Sequence, residues 1–194
     1  MSTPRDEARA PRKRADAVRN SAAVLDAAKA SFAASGVDAP MREIAARAGV
    51  GVGTIYRNYP QRSDLIIAVF RREVDATAAV AEQLLDRHQP AEALRRWAGR
   101  LAEFIVTKRG FSAALHSGDP AYQPLPTYFL GTLAPPVQRI LDAGADDGSI
   151  RADVRAEDLI QALSRLADAS TSGGGRIGGM AEVLLDGLCT PRGT

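Results

Sequence analysis

Four side chains in one short segment could bind a phosphate oxygen: Thr54, Tyr56, Arg57 and Asn58. A hydroxyl, a phenol, a guanidinium and an amide are all hydrogen-bond donors, and backbone phosphates are read by donors of this kind. The same segment carries Gly51 and Gly53. Two glycines in three residues are costly in a helix built only for a core, at about 1 kcal/mol each against alanine. They remove side chains where a backbone must approach a groove or a phosphate closely.

The elements that must position these residues are short and helical. Pro40 suits a first helical turn, and Ile44, Ala45 and Ala48 form the inner face of a helix ending at Gly49. Val50 fills the angle, and a second short helix runs from Gly51 to Asn58. Tyr59-Pro60 ends it, because the residue before proline is pushed out of the helical region. An ordinary αα-hairpin shares this outline. The brevity of both helices, the Gly-Val turn, the polar outer face and the terminal tyrosines together point to a helix-turn-helix.

The flanking chain also reads as helix. A first helix from about Asp16 to Ser35 aligns Val24, Leu25, Ala28 and Phe32 and stops at Gly36. A fourth starts between Gln61 and Asp64, carries Leu65, Ile66, Val69, Phe70 and Val74, and continues toward Leu84-Leu85. Further helices are predicted over Pro90 to Arg109, Phe111 to His116, Tyr128 to Gly144, Glu157 to Ser170 and Ile177 to Leu188. Pro135-Pro136 is expected to bend or split the helix containing it. Ser172 to Gly175 reads as a flexible linker. Nowhere does a sustained period-2, β-branched run occur, so the fold class is all-α with about nine helices. The expected division is a disordered basic arm over 1–16, a helix-turn-helix domain over 17–64, and a helical body over 65–194.

Charge supports that division. Residues 1–72 hold 13 Lys+Arg against 7 Asp+Glu, and residues 73–194 hold 12 against 16. A basic head on an acidic body fits a protein whose head meets a polyanion. Arg12-Lys13-Arg14, with Arg19 behind, could reach phosphates or a minor groove. The single cysteine, Cys189, excludes an intrachain disulfide framework. No apolar run approaches the roughly 20 residues that span a bilayer. The N-terminus is charged from Arg5 with no apolar stretch, which reads against a secretory signal. The expectation is a cytoplasmic protein that does not contact membranes.

Residues from about Arg19 to Val74 resemble the N-terminal domain of the TetR/AcrR family of bacterial transcriptional regulators. The resemblance rests on Phe32-Ala33-Ala34-Ser35-Gly36-Val37, Met41-Arg42-Glu43-Ile44-Ala45, the run Ala48 to Pro60, Arg62 and Leu65. It implies DNA contact by Met41, Arg42, Gly51, Val52, Gly53, Thr54, Tyr56, Arg57, Asn58, Tyr59 and Arg62. Arg42 would reach a base edge, Tyr56 would bind phosphate, and Arg62 takes the place of the family's usual lysine beside phosphate. Val52 has two placements, against a thymine methyl or inward with Ile55 and Tyr59. Gly51 replaces a small hydroxyl residue and Asn58 the usual histidine. The C-terminal part resembles the family in architecture only.

The resemblance further implies that the body over 65–194 is an effector-binding and dimerisation domain, with a homodimer formed by the last two helices, a double-stranded operator as partner, and a small-molecule effector of unknown identity. The function expected is a ligand-responsive regulator, a repressor released from a palindromic operator. The alternatives are a regulator controlled by a protein partner and a helical ligand carrier without operator binding. Trp97, Arg100, Phe104, Phe111, His116, Tyr122 and Tyr128 are the candidate effector-pocket residues, with core packing as the competing role for the aromatics. The acidic body suggests a neutral or cationic effector. No nucleophile–base pair suggests an enzyme, no His/Cys cluster has metal-ligand spacing, and no cofactor is implied.

Overall fold

Each helix begins and ends where local chemistry dictates. The computed structural model describes residues 9–108, 111–115, 117–169 and 178–189. It contains α1 (Arg9–Ser35), α2 (Met41–Ala48), α3 (Val52–Asn58), α4 (Arg62–Leu85), α5 (Pro90–Lys108), α6 (Ser112–Leu115), α7 (Leu125–Asp146), α8 (Ala156–Ala169) and α9 (Gly179–Leu188). A 3-10 turn, Pro120–Tyr122, precedes α7. The described residues hold no strand; one isolated antiparallel bridge joins Ile150 to Cys189. His116, Arg109-Gly110, the Ser172 to Gly175 linker and Ile177 lie outside the described residues, as do residues 1–8 of the expected arm.

Two stretches differ from the sequence expectation. The first helix begins at Arg9 rather than near Asp16, so the segment read as an arm enters α1. The second difference is α7, which runs unbroken through Pro135 and Pro136. Each proline removes a backbone donor and crowds the carbonyl four residues back. Tertiary packing outweighs that cost here. Leu133, Val137, Ile140 and Leu141 of α7 are all buried, in a helix that packs on α4, α5 and α8, while Pro135 faces outward.

Helix α4 is the hub. It packs on α1 in the head, on α5 and α7 in the body, and on the 3-10 turn. One hydrophobic cluster runs from Val24 and Phe32 through Ile44, Ile55 and Leu65 to Trp97, Ile140 and Leu185. The head is therefore not insulated from the body. Phe32 of α1 meets Phe111 edge-on at 5.4 Å between ring centroids. Glu73 of α4 is buried and takes two cations, Lys29 of α1 at 2.7 Å and Arg100 of α5 at 3.5 Å. A single buried carboxylate thus ties three helices; Arg100 also pairs with Glu103 at 3.3 Å.

Gly144 and Ile150 set the return of the chain after α7. A Cβ on Gly144 would lie 2.4–2.8 Å from three side-chain carbons of Ile150. Ile150 N–H donates to the Gly144 carbonyl at 2.9 Å, which fixes that approach.

Candidate nucleic-acid interface

The turn between α2 and α3 is built by Gly49, which sits in the left-handed region at φ 68°. Its neighbour's amide, Val50 N–H, donates to the Ala45 carbonyl at 3.0 Å, closing the end of α2. Ile44 and Ile55 are fully buried and hold α2 against α3. Gly51 caps α3 in extended conformation, and its carbonyl accepts from Thr54 N–H at 2.8 Å. Gly51 supplies no side-chain cap, so the first amides of α3 depend on other partners.

The outer face of α3 is polar and open. Tyr56 is 49% exposed, and Arg57 and Asn58 are exposed beside it. Arg57 donates to Thr54 Oγ1 at 3.2 Å, and Asn58 Nδ2 donates to the Thr54 carbonyl at 2.8 Å. Arg42 is exposed on the first turn of α2. Neither Gly51 nor Gly53 has positive φ, and a Cβ at either would meet nothing within 4 Å. Nothing in the free chain requires glycine there.

Four of the residues expected on this surface also contact the interior of the head. Met41 is buried in the core. Val52 is half-buried and packs against the same core. Tyr59 packs against the core with its hydroxyl 3.3 Å from Ser21 Oγ. Arg62 is held by the backbone of the head itself. Its Nη1 donates to the Val37 carbonyl at 2.6 Å and to the Ala39 carbonyl at 2.7 Å. The guanidinium clamps the α1–α2 connection. The sequence gives no sign of this, because the partners are backbone atoms more than 20 residues away.

Behind the head lies a cavity of about 370 Å³ lined from α4, α6, α7 and α8 and by the 3-10 turn. Its apolar wall includes Phe70, Leu115, Leu125, Phe129 and Leu130, and its polar residues are Tyr122, Gln161, Ser164 and Arg165. Of the seven residues expected to line a pocket, Tyr122 does so. Trp97 is wholly buried and donates from Nε1 to the Thr77 carbonyl at 3.1 Å, which is a core role. Phe104 stacks on the back of Phe129 at 5.6 Å and also meets Phe70. Phe111 packs on Phe32, and Arg100 pairs with Glu73. Tyr128 points to the other side of α7, donating to Asp75 at 2.5 Å with Arg71 over its ring. His116 lies outside the described residues. Aromatic content marked the right region of the chain, and helix rotation sorted its members. The overlooked signal was Gln161, Ser164 and Arg165 at i, i+3 and i+4, which place three polar side chains on one side of α8.

Burial raises the Tyr122 phenol above the ordinary tyrosine value; the Asp119 charge adds to this, and the Arg62 charge opposes it. Tyr122 is therefore within electrostatic reach of the residue that clamps the head.

This arrangement defines a class: a helix-turn-helix head mounted on a helical body that contains a cavity. Comparison with known proteins agrees. Residues 24–69 match the family described as bacterial regulatory proteins, tetR family. Residues 89–190 match the family described as transcriptional regulator SbtR-like, C-terminal domain. The fold is similar to that of a TetR transcriptional regulator from Streptomyces coelicolor, at 35% identity and a TM-score of 0.72, covering 86% of this chain and 97% of that one. It is likewise similar to a TetR regulatory protein from Mycobacterium vanbaalenii, at 35% identity and a TM-score of 0.70, covering 91% and 99%. An HTH-type transcriptional regulator of Staphylococcus aureus is 27% identical over 108 residues, which span 55% of this chain and 58% of that protein. The chain belongs to the TetR family, whose members are DNA-binding transcriptional regulators. Among the described residues, no helix is long and apolar enough to cross a membrane.

Proposed function

We propose that this chain is a homodimeric repressor that leaves a palindromic operator when a small molecule fills the cavity. The observation that carries the reading is that one helix, α4, holds both ends of the device. Arg62 at its first residue clamps the head, and Phe70, eight residues later, forms part of the cavity wall. A ligand that displaces Phe70 or Tyr122 acts on the helix that orients α2 and α3. The effector must favour the non-binding head spacing, and a coupling of about 1–3 kcal/mol is typical of such regulators.

On this reading Tyr56, Thr54, Arg57 and Asn58 bind backbone phosphate, and Arg42 reads a base edge. The bare glycines at 51 and 53 leave room for the duplex backbone. Met41, Val52, Tyr59 and Arg62 hold the reading surface in place from behind. Two heads about 34–36 Å apart are needed to meet successive major grooves, which requires a two-fold dimer. Met180 and Val183 on α9 are 66% and 61% exposed, large apolar side chains suited to such an interface.

The test is fluorescence anisotropy of the full chain with the DNA upstream of its own gene. Nanomolar binding that survives physiological salt and fails on a scrambled duplex is expected. Salt-sensitive binding indifferent to sequence would overturn the specific-repressor reading.

A further inference from the structure

We infer that the cavity takes an organic anion with an apolar body and a single compact oxyanion head, a carboxylate or its equivalent. This rests on the reading of the cavity as an effector site and adds the chemical class of the ligand.

The lining is segregated. Phe70, Leu125, Phe129 and Leu130 form a continuous apolar wall from α4 and α7. Three of the four polar residues come from one stretch of α8, and the fourth, Tyr122, from the 3-10 turn. Gln161, Ser164 and Arg165 fall at i, i+3 and i+4, so they share a face. The rest of the inner side of α8, Ala156, Leu159, Ile160 and Leu163, is buried in the core.

The polar groups are short of acceptors. Ser164 Oγ is buried and has no hydrogen-bond partner among the described residues. Among the described residues of the lining Arg165, whose side chain is open to solvent, is the only charged one, and no described carboxylate lies beside it. Among the described residues Arg165 pairs with none of the carboxylates, as is also true of Arg71 and Arg87, whereas Arg95, Arg96, Arg100, Arg139, Arg151 and Arg155 of the same body each do. A guanidinium is a planar fork of donors that matches an oxyanion bidentately. A hydroxyl left unsatisfied in an apolar setting is destabilising until an acceptor arrives. One anionic head beside α8 would satisfy both groups, with the Gln161 amide as a third donor. The apolar wall would cover the body of the molecule, and about 370 Å³ is within the usual range for small-molecule sites. The local chemistry thus runs against the acidic balance of the body, which by itself suggested a neutral or cationic ligand.

The experiment uses the full chain and three probes of one length: decanoate, decanol and decylamine. Binding is read by displacement of the neutral apolar dye N-phenyl-1-naphthylamine. Decanoate should bind at least tenfold more tightly than decanol, and decylamine most weakly. R165Q should lower decanoate affinity about tenfold and leave decanol unchanged, and S164A should lower it by a smaller factor. Leu130→Trp, which fills the cavity from a half-buried position, should abolish dye and decanoate binding together. Equal binding of decanoate and decanol, or a preference for decylamine, overturns the inference. If the dye still binds and Leu130→Trp still removes it, the effector-site reading survives that result. Failure of the dye and of every probe to bind overturns both.

Discussion

Arg62 offers the sharpest test, because sequence and structure assign it different work. Its Nη1 donates to the carbonyls of Val37 and Ala39 at 2.6 and 2.7 Å. Both residues are buried, with Ala39 1% exposed. Arg62→Met keeps the aliphatic stem and deletes both donors. Hydrogen bonds to a charged group contribute about 1.5–3 kcal/mol each. The site is only part-buried, so water will replace some of that, and a total loss of about 2–3 kcal/mol is expected. For a chain of this length that lowers Tm by roughly 4–12 °C. Urea unfolding should show a lower midpoint with unchanged m. A phosphate contact behaves otherwise. Its loss would leave stability alone and reduce the slope of log K against log salt for non-specific duplex by about 0.9. The clamp therefore predicts a stability change with an unchanged salt slope. An Arg62→Met protein of wild-type stability whose salt slope has fallen by about one would refute the reasoning.

Four further outcomes follow from the geometry. Gly53→Ala fills open space on a helix, so it should stabilise the free protein by up to about 1 kcal/mol in urea unfolding and at the same time weaken DNA binding in anisotropy; stabilisation without loss of binding would show that the duplex does not approach residue 53. Gly144→Ala drives a methyl into Ile150, whose backbone is tethered by Gly144 O and by the bridge to Cys189, and should cost about 1–3 kcal/mol by calorimetry. Val183→Asp on the exposed face of α9 should convert a sedimenting dimer to monomer while far-ultraviolet circular dichroism is retained. The Tyr128 phenol is raised above the ordinary tyrosine value, chiefly by the hydrogen bond it donates to Asp75. The unfolded chain then ionises first, near pH 10, so this contribution to stability is intact below that pH and lost as pH rises through the folded value. Denaturant titrations between about pH 9 and pH 11 should show a shallower loss for Tyr128→Phe than for wild type.

Local rules made much of the head legible. Gly49 at a left-handed C-cap, the break at Tyr59-Pro60 and the buried periodicity of Ile44, Ala45 and Ile55 are effects of neighbours along the chain, and composition shows them. So are the polar outer face of α3 and the long apolar stripe of α4. These were enough to read an all-α chain with a helix-turn-helix; that it is a regulator came from the family resemblance and the family match.

Tertiary structure decided which chemically suitable residues are available. Arg62, Met41 and Tyr59 have the right types at the right places in the sequence, yet their partners are Val37 and Ala39, the core, and Ser21. The same holds in the body, where Trp97 turned inward to Thr77 and Arg165 was left facing a cavity. Pro135-Pro136 should break a helix on local grounds, but the burial of Leu133, Val137 and Ile140 in the core kept α7 whole. The physical reason is common to all of them. Helix periodicity and turn chemistry are encoded within a few residues, whereas the side a residue faces, and what meets it there, depends on packing between segments far apart in the chain.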